Sequence, residues 1–185
     1  MGFSVDSLAS VLSRLSESGV DYVLIGDTVV QLHLGFKTLE GDVDLFVLAP
    51  SPLGEQEFYS SLAEANGWEV ASTELGTPKL ICAVNGETVE VEFYENFMDL
   101  EIPEELLNLS VTLTVGSVRA RALRPEHYFV LKARQGVDLD KLKRWLKQVE
   151  RAGFNKKVVE EAISYFPGYE EKTIRERLRS IGLTV

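Results

Sequence analysis

Asp42-Val43-Asp44-Leu45-Phe46-Val47-Leu48, preceded by Leu24-Ile25-Gly26-Asp27-Thr28, is the stretch from which the rest of the chain can be read. Strand side chains alternate between faces, so Asp42 and Asp44 share one face, about 7 Å apart along the strand, while Val43, Leu45 and Val47 share the other. Aspartate is depleted in strands, and two of them aimed at one spot repel each other unless a cation lies between. A divalent metal is therefore the first expectation. Gly26-Asp27-Thr28 falls where a strand feeds a helix N-terminus; backbone N–H groups there bind anions, and glycine lets a phosphate approach the main chain.

Working outward, Ser4 caps a first helix with an apolar stripe of Leu8, Leu12 and Leu15, ending near Gly19. Asp21 to Gly26 reads as a buried strand, and Asp27 or Thr28 caps a brief helix closed by Gly35. The Asp42 to Leu48 strand follows, and Pro50 and Pro52 introduce a helix running toward Gly67. The pattern then changes from alternation to hairpins. Trp68 to Ser72 and Lys79 to Val84 read as strands, and Asn85-Gly86 is a strong hairpin signal joining the second of these to Glu87 through Glu95. A second hairpin pairs Val111 to Val115 with Val118 to Ala122. Pro125 opens a helix carrying Phe129, Val130 and Leu131. The rest is helical: Asp138 to Gly153, then a helix capped by Asn155 and ending at Pro167-Gly168, then roughly Glu170 to Ser180. Helices this short need a body or a partner to dock on. The fold class is α+β, with one domain over residues 1–135 and a helical extension over 136–185.

At 185 residues, 45% hydrophobic and 26% charged, the chain is long enough for a well-cored domain with a small appendage. No apolar run nears the ~20 residues that span a bilayer, and no basic segment followed by an apolar one opens the chain. A cytoplasmic protein with no membrane partner is expected. The single cysteine, Cys82, excludes an internal disulfide or a cysteine-based zinc cluster and reads as a core residue. The net charge of −10 is unevenly spread: residues 132–185 hold 13 Lys and Arg against 8 Asp and Glu, the first 131 residues 6 against 21. A basic tail on an acidic body suits a phosphate-rich partner or a partner protein on the C-terminal helices, although interleaved surface charge has the same appearance.

In Thr88-Val89-Glu90-Val91-Glu92-Phe93-Tyr94-Glu95 the same two-residue period puts Glu90 and Glu92 on one face. If this strand lies beside the Asp42 to Leu48 strand, Glu92 supplies a third carboxylate, with Glu90 as the alternative. Three acids from neighbouring strands suit one or two Mg²⁺ ions, for which Mn²⁺ can substitute, and such an arrangement serves phosphoryl transfer. His33 reads as a partly buried histidine, His127 as either a nucleotide contact or a surface residue, and Trp145 as core. No Ser, His and Asp set or Cys and His pair stands at the spacing of a nucleophilic hydrolase.

These residues resemble the nucleotidyltransferase superfamily, whose members share a Gly-Gly or Gly-Ser turn, a short helix, Asp-x-Asp on the next strand and a later third acid. Leu24 to Asp27, Asp42 to Val47, and Ala122-Leu123-Arg124-Pro125-Glu126-His127-Tyr128-Phe129-Val130-Leu131-Lys132 with Asp138 to Leu142 are similar to the small prokaryotic members, including those linked to toxin and antitoxin pairs. The resemblance implies a mixed β-sheet flanked by helices. It further implies Mg²⁺-dependent transfer of a nucleoside monophosphate from a nucleoside triphosphate to an acceptor hydroxyl on a protein, an RNA or a small molecule. Asp42, Asp44 and Glu92 would be the catalytic and metal-binding acids, and Gly26, Asp27, Thr28, Lys37 and Lys132 would contact the nucleotide. Asp27 replaces the usual small residue, and Lys37-Thr38 stands where relatives carry Arg and Thr. A fold kept for antitoxin-like or regulatory binding without chemistry is the alternative, and an RNA-binding domain using the basic tail is another.

Overall fold

A computed structural model describes residues 2–97 and 101–185. The chain opens with β1 (Phe3–Ser4) and α1 (Val5–Glu17), and the Ser4 side chain accepts from the Ser7 N–H as an N-cap. Leu8, Leu12 and Leu15 of α1 are fully buried, as their spacing requires. There follow β2 (Asp21–Leu24), α2 (Thr28–His33), β3 (Thr38–Leu39), β4 (Val43–Ala49) and α3 (Gln56–Asn66). Strand β2 stops at Leu24, earlier than its apolar run, because the chain turns there; the Ile25 N–H still bonds the Asp44 carbonyl at 2.9 Å. The two-residue strands β1 and β3 pair only with each other and are too short for any periodicity to announce them.

The hairpins come next as β5 (Glu69–Ser72), β6 (Pro78–Val84), β7 (Glu87–Tyr94), β8 (Val111–Val115) and β9 (Val118–Ala122), with α4 (Glu104–Asn108) between β7 and β8. Seven strands form one mixed sheet in the order β5-β6-β7-β4-β2-β9-β8. Strands β4 and β7 lie side by side and parallel, with Asp44 opposite Glu92. Strands β6 and β7 are antiparallel, with Lys79 opposite Glu92. The α+β architecture of a mixed sheet flanked by helices is thus as the sequence predicts.

One face of β4 and β7 carries Val43, Leu45, Val47, Val89, Val91 and Phe93, all buried. Helix α1 lies against β6 and β7, while α3 brings the Tyr59 ring to 4.8 Å from that of Phe93. With that face sealed, the same strands are obliged to turn Asp44, Glu90 and Glu92 to the opposite side.

The β6–β7 turn has Asn85 at φ +53° and Gly86 at φ +77°, the two left-handed positions of a two-residue hairpin. A Cβ on Gly86 would meet no atom within 4 Å. Gly86→Ala is therefore expected to lower stability by the backbone term alone, about 1–2 kcal/mol, read as a shifted urea midpoint with unchanged slope.

Helices α5 (Pro125–Gln135), α6 (Leu139–Arg151), α7 (Lys156–Ser164) and α8 (Gly168–Ser180) complete the chain. The last three pack on α5. Buried Glu126 of α5 accepts the Asn155 N–H at 2.7 Å, Arg134 pairs with Glu170, and Arg177 donates to the Ala133 carbonyl at 2.8 Å. These ties satisfy groups that burial would otherwise leave without partners. Buried apolar side chains from Phe3 to Leu183 belong to one connected core. Among the described residues no helix is long and apolar enough to cross a membrane. Cys82 is buried, whereas His33 is exposed instead of partly buried, because α2 turns its last residues outward.

Candidate active site

The carboxylates collect where the C-terminal turn of β2 meets β4 and β7. Gly26 stands at φ +71°, and a Cβ built on it would lie 2.1 Å from Asp44 Oδ2 and 2.9 Å from Asp44 Cγ. The turn backbone is therefore pressed against the Asp44 side chain, which only glycine allows. Asp44 and Glu92 occupy directly opposed positions on β4 and β7, so strand pairing brings these two acids together. Asp42 lies one residue before β4, its carbonyl accepting from Thr28 Oγ1 at 3.4 Å. Gln31 fixes the approach to Asp42 by bonding both the carbonyl and the N–H of Glu40, at 2.8 and 2.9 Å.

Lys79, on β6, sends its ammonium into this group. Its Nζ is 2.6 Å from Glu90 Oε2, 3.2 Å from Glu92 Oε1 and 3.4 Å from Asp42 Oδ2. The other oxygen of Glu92 accepts the Tyr94 hydroxyl. Glu90 and Glu92 are thus both paired with Lys79. Among the described residues no three His, Cys, Asp or Glu side chains stand ready around a common point for a metal ion. Asp42, Glu90 and Glu92 close on an ammonium instead. Asp44 makes no side-chain hydrogen bond or ion pair among the described residues, and carboxylate oxygens such as those of Asp42 and Asp44 are the ligand type that a divalent ion such as Mg²⁺ takes.

Electrostatics follow from this layout. Burial, then the charge of Glu92, raises the Asp44 carboxyl from the ordinary 3.8 to about 7, with Lys132 opposing and Asp27 and Asp42 adding to the rise. Asp42 is also raised, first by partial desolvation, against the pull of Lys79. Glu90 is lowered by its hydrogen bond from Lys79. Burial works against the Lys79 charge, but the bonds to Glu90 and Glu92 outweigh it and hold the ammonium above its usual range.

Asp27 makes no capping bond to α2, so one expected role for its side chain is not taken up. Its carboxylate pairs with Lys141 of α6, Nζ to Oδ2 2.6 Å. An anion that would repel a triphosphate is thereby neutralised by the C-terminal helices. Lys132 lies near enough to act on Asp44 and bonds Asp138 at 3.4 Å. Thr28 is buried at the start of α2. Lys37 does not join the group: it is exposed, its carbonyl accepts the Val5 N–H at 3.1 Å, and its side chain makes no ion pair among the described residues. His127 is buried, its Nδ1 without a partner, and burial with the Arg124 charge lowers it to about 4, which makes it a neutral interior residue.

Lys79, Tyr94 and Lys141 are the members that strand and helix periodicity alone does not single out. For Lys79 the signal was present: a two-residue turn at Asn85-Gly86 fixes the hairpin register and places residue 79 opposite residue 92. Tyr94 follows Glu92 on the same face. Lys141 had no such signal, since the crossing of α6 over α2 is a tertiary fact.

No curated protein matches the sequence. Among solved structures, the fold resembles the crystal structure of an antigenic nucleotidyltransferase-like protein from Paracoccidioides brasiliensis. Its TM-score is 0.62 at 18% identity, over 98% of this chain and 89% of the other. The solution structure of the antibiotic-resistance factor ANT(2'')-Ia gives 0.52 at 15% identity, over 95% of this chain and 91% of the other. Likeness at such identity concerns the fold. Residues 4–180 match the family described as "Nucleotidyl transferase of unknown function (DUF2204)", nearly the whole chain, and to that family of nucleotidyl transferases this protein belongs.

Proposed function

We propose that the protein transfers a nucleoside monophosphate from a nucleoside triphosphate to an acceptor hydroxyl, with Mg²⁺ held by Asp42 and Asp44. The observation that carries this reading is the pairing of Asp44 with Glu92 across β4 and β7 beside a glycine turn, with Asp42 drawn toward Glu92 by the shared Lys79 ammonium and Asp27 paired with Lys141. When bound, Mg²⁺ would draw charge from the phosphate oxygens and hold the triphosphate for in-line attack. Gly26 and the first turn of α2, with Thr28, offer backbone N–H groups to the phosphates, and Lys132 adds a positive charge on the same side. The acceptor oxygen bonds to the α-phosphorus, the bond from that phosphorus to the bridging oxygen breaks, and pyrophosphate leaves. The acceptor proton goes to a free lone pair of Glu92, whose two oxygens are oriented by Lys79 and Tyr94.

The pairing of Asp27 with Lys141 weighs against a purely regulatory module, because it removes the repulsion that would make the triphosphate site unusable. Incubation with each α-labelled ribonucleoside triphosphate and Mg²⁺, across protein, RNA and small-molecule acceptors, is expected to give metal-dependent label transfer from at least one. Transfer from none, with no triphosphate binding by calorimetry, would overturn the reading in favour of the binding module.

A further inference from the structure

Lys79 has no ligand role in the reaction above, yet it stands where the acids converge. Across β6, β7 and β4 the residues Lys79, Glu92 and Asp44 form one row, because Glu92 is the register partner of both others. From its end of that row the lysine reaches back to Glu90 and across to Asp42, so that one ammonium lies within 3.4 Å of three carboxylates. With Tyr94 on the remaining oxygen of Glu92, the third acid has both oxygens committed to protein donors. Asp44, by contrast, has neither oxygen committed to a side chain of the described residues. A divalent ion held at Asp44 therefore displaces no side-chain partner of that carboxylate among the described residues. A second ion between Asp42 and Glu92 would have to expel the ammonium.

We propose that the Lys79 ammonium takes the place of a second divalent cation between Asp42, Glu90 and Glu92, so that the chain binds one divalent ion and supplies the other positive charge from β6. This rests on the reading that Asp42 and Asp44 bind a divalent ion. A fixed +1 charge on a strand needs no ion to be recruited. It also leaves Glu92 held in one position before substrate arrives, since its hydrogen bonds come from β6 and from its own strand. Replacing the lysine should restore the position to a metal, because the three carboxylates it now joins would otherwise face one another uncompensated.

The test is a Mn²⁺ titration of the whole chain, with free Mn²⁺ read by electron paramagnetic resonance. One ion per chain is expected for the unaltered protein and for Lys79→Arg, and two for Lys79→Ala. Lys79→Gln, which loses the charge and keeps a hydrogen-bond donor, provides the same comparison should the alanine variant fail to fold, as judged by circular dichroism. Two ions on the unaltered chain, or equal counts in the unaltered chain and the folded neutral variants, overturn the proposal. No ion on the unaltered chain with one on the neutral variants would uphold the place of Lys79 and count against Asp42 and Asp44 as ligands. The failure of either reading is thus visible separately.

Discussion

Asp44→Asn is expected to lower nucleotidyl transfer by at least about 10³-fold, some 4 kcal/mol of transition-state stabilisation, while making the metal-free protein more stable at pH 8. The two effects have one cause. Asp44 sits half-buried between the Gly26 turn and Glu92, and its carboxyl is raised from 3.8 to about 7 by desolvation first and by Glu92 next. A carboxyl raised in the folded state keeps its proton where the unfolded chain has lost it. The stability this contributes is complete below about pH 4, falls as pH rises, and is gone above about pH 7. Ionised Asp44 therefore costs the folded protein on the order of 4 kcal/mol at pH 8, in the absence of metal. Asparagine keeps the shape and carries no charge, so the variant should show no such decline.

Urea unfolding in a chelating buffer at pH 4.5 and pH 8 reads this directly. The two proteins should unfold at similar midpoints at the lower pH, and the asparagine variant at the higher midpoint at pH 8. Adding Mg²⁺ at pH 8 should stabilise the unaltered protein more than the variant, since binding to the folded state alone raises stability. Equal midpoints at pH 8 without metal would show that the Asp44 charge is not confined as the geometry indicates, and the metal-ligand role would lose its main support.

Much of this could be read from the sequence because the dominant force on each element was local and periodic. The alternation in Val43 to Val47 and Val89 to Phe93 settles which face is buried, and with it the side on which Asp44, Glu90 and Glu92 emerge. The hairpin at Asn85-Gly86 and the cap at Asn155 each have a residue whose chemistry announces them, whereas the stop of β2 at Leu24, short of the expected Gly26, has none. What escaped was set by contacts between elements distant in sequence. Asp27 reads as a helix cap or a triphosphate neighbour until α6 brings Lys141 against it. Glu92 reads as a third metal-binding acid, whereas the hairpin register delivers Lys79 to it and its own strand delivers Tyr94. His127 reads as a nucleotide contact or a surface residue, yet with α7 and α8 packed on α5 it is buried. The carboxylates of the site were therefore legible, and the cations that balance them were largely not.

Gly26→Ala should be strongly destabilising, and its cost can be divided into two parts. The first is backbone strain: at φ +71° an alanine loses about 1–2 kcal/mol relative to glycine. The second is collision. The new Cβ would lie 2.1 Å from Asp44 Oδ2, 2.9 Å from its Cγ and 3.0 Å from its Cβ. Rotating the carboxylate relieves the first two contacts, but Asp44 Cβ is held by β4, whose Asp44 carbonyl accepts the Ile25 N–H at 2.9 Å. Either the turn lifts or Asp44 swings toward Glu92, like charge against like charge. Overpacking of this kind adds about 1–3 kcal/mol, for a total of about 2–5 kcal/mol, and under the proposed function a displaced carboxylate should also weaken Mn²⁺ binding. Gly86→Ala supplies the reference, having similar backbone geometry and nothing for its Cβ to meet. The decisive measurement is a double-mutant cycle with Asp44→Ala. In that background the colliding atoms beyond Cβ are gone, so the penalty of Gly26→Ala should shrink toward that of Gly86→Ala, with a coupling of at least about 1 kcal/mol. If the penalty is unchanged when Asp44 is trimmed, the turn is not pressed against the carboxylate, and Gly26 serves only to bend the chain from β2 into α2.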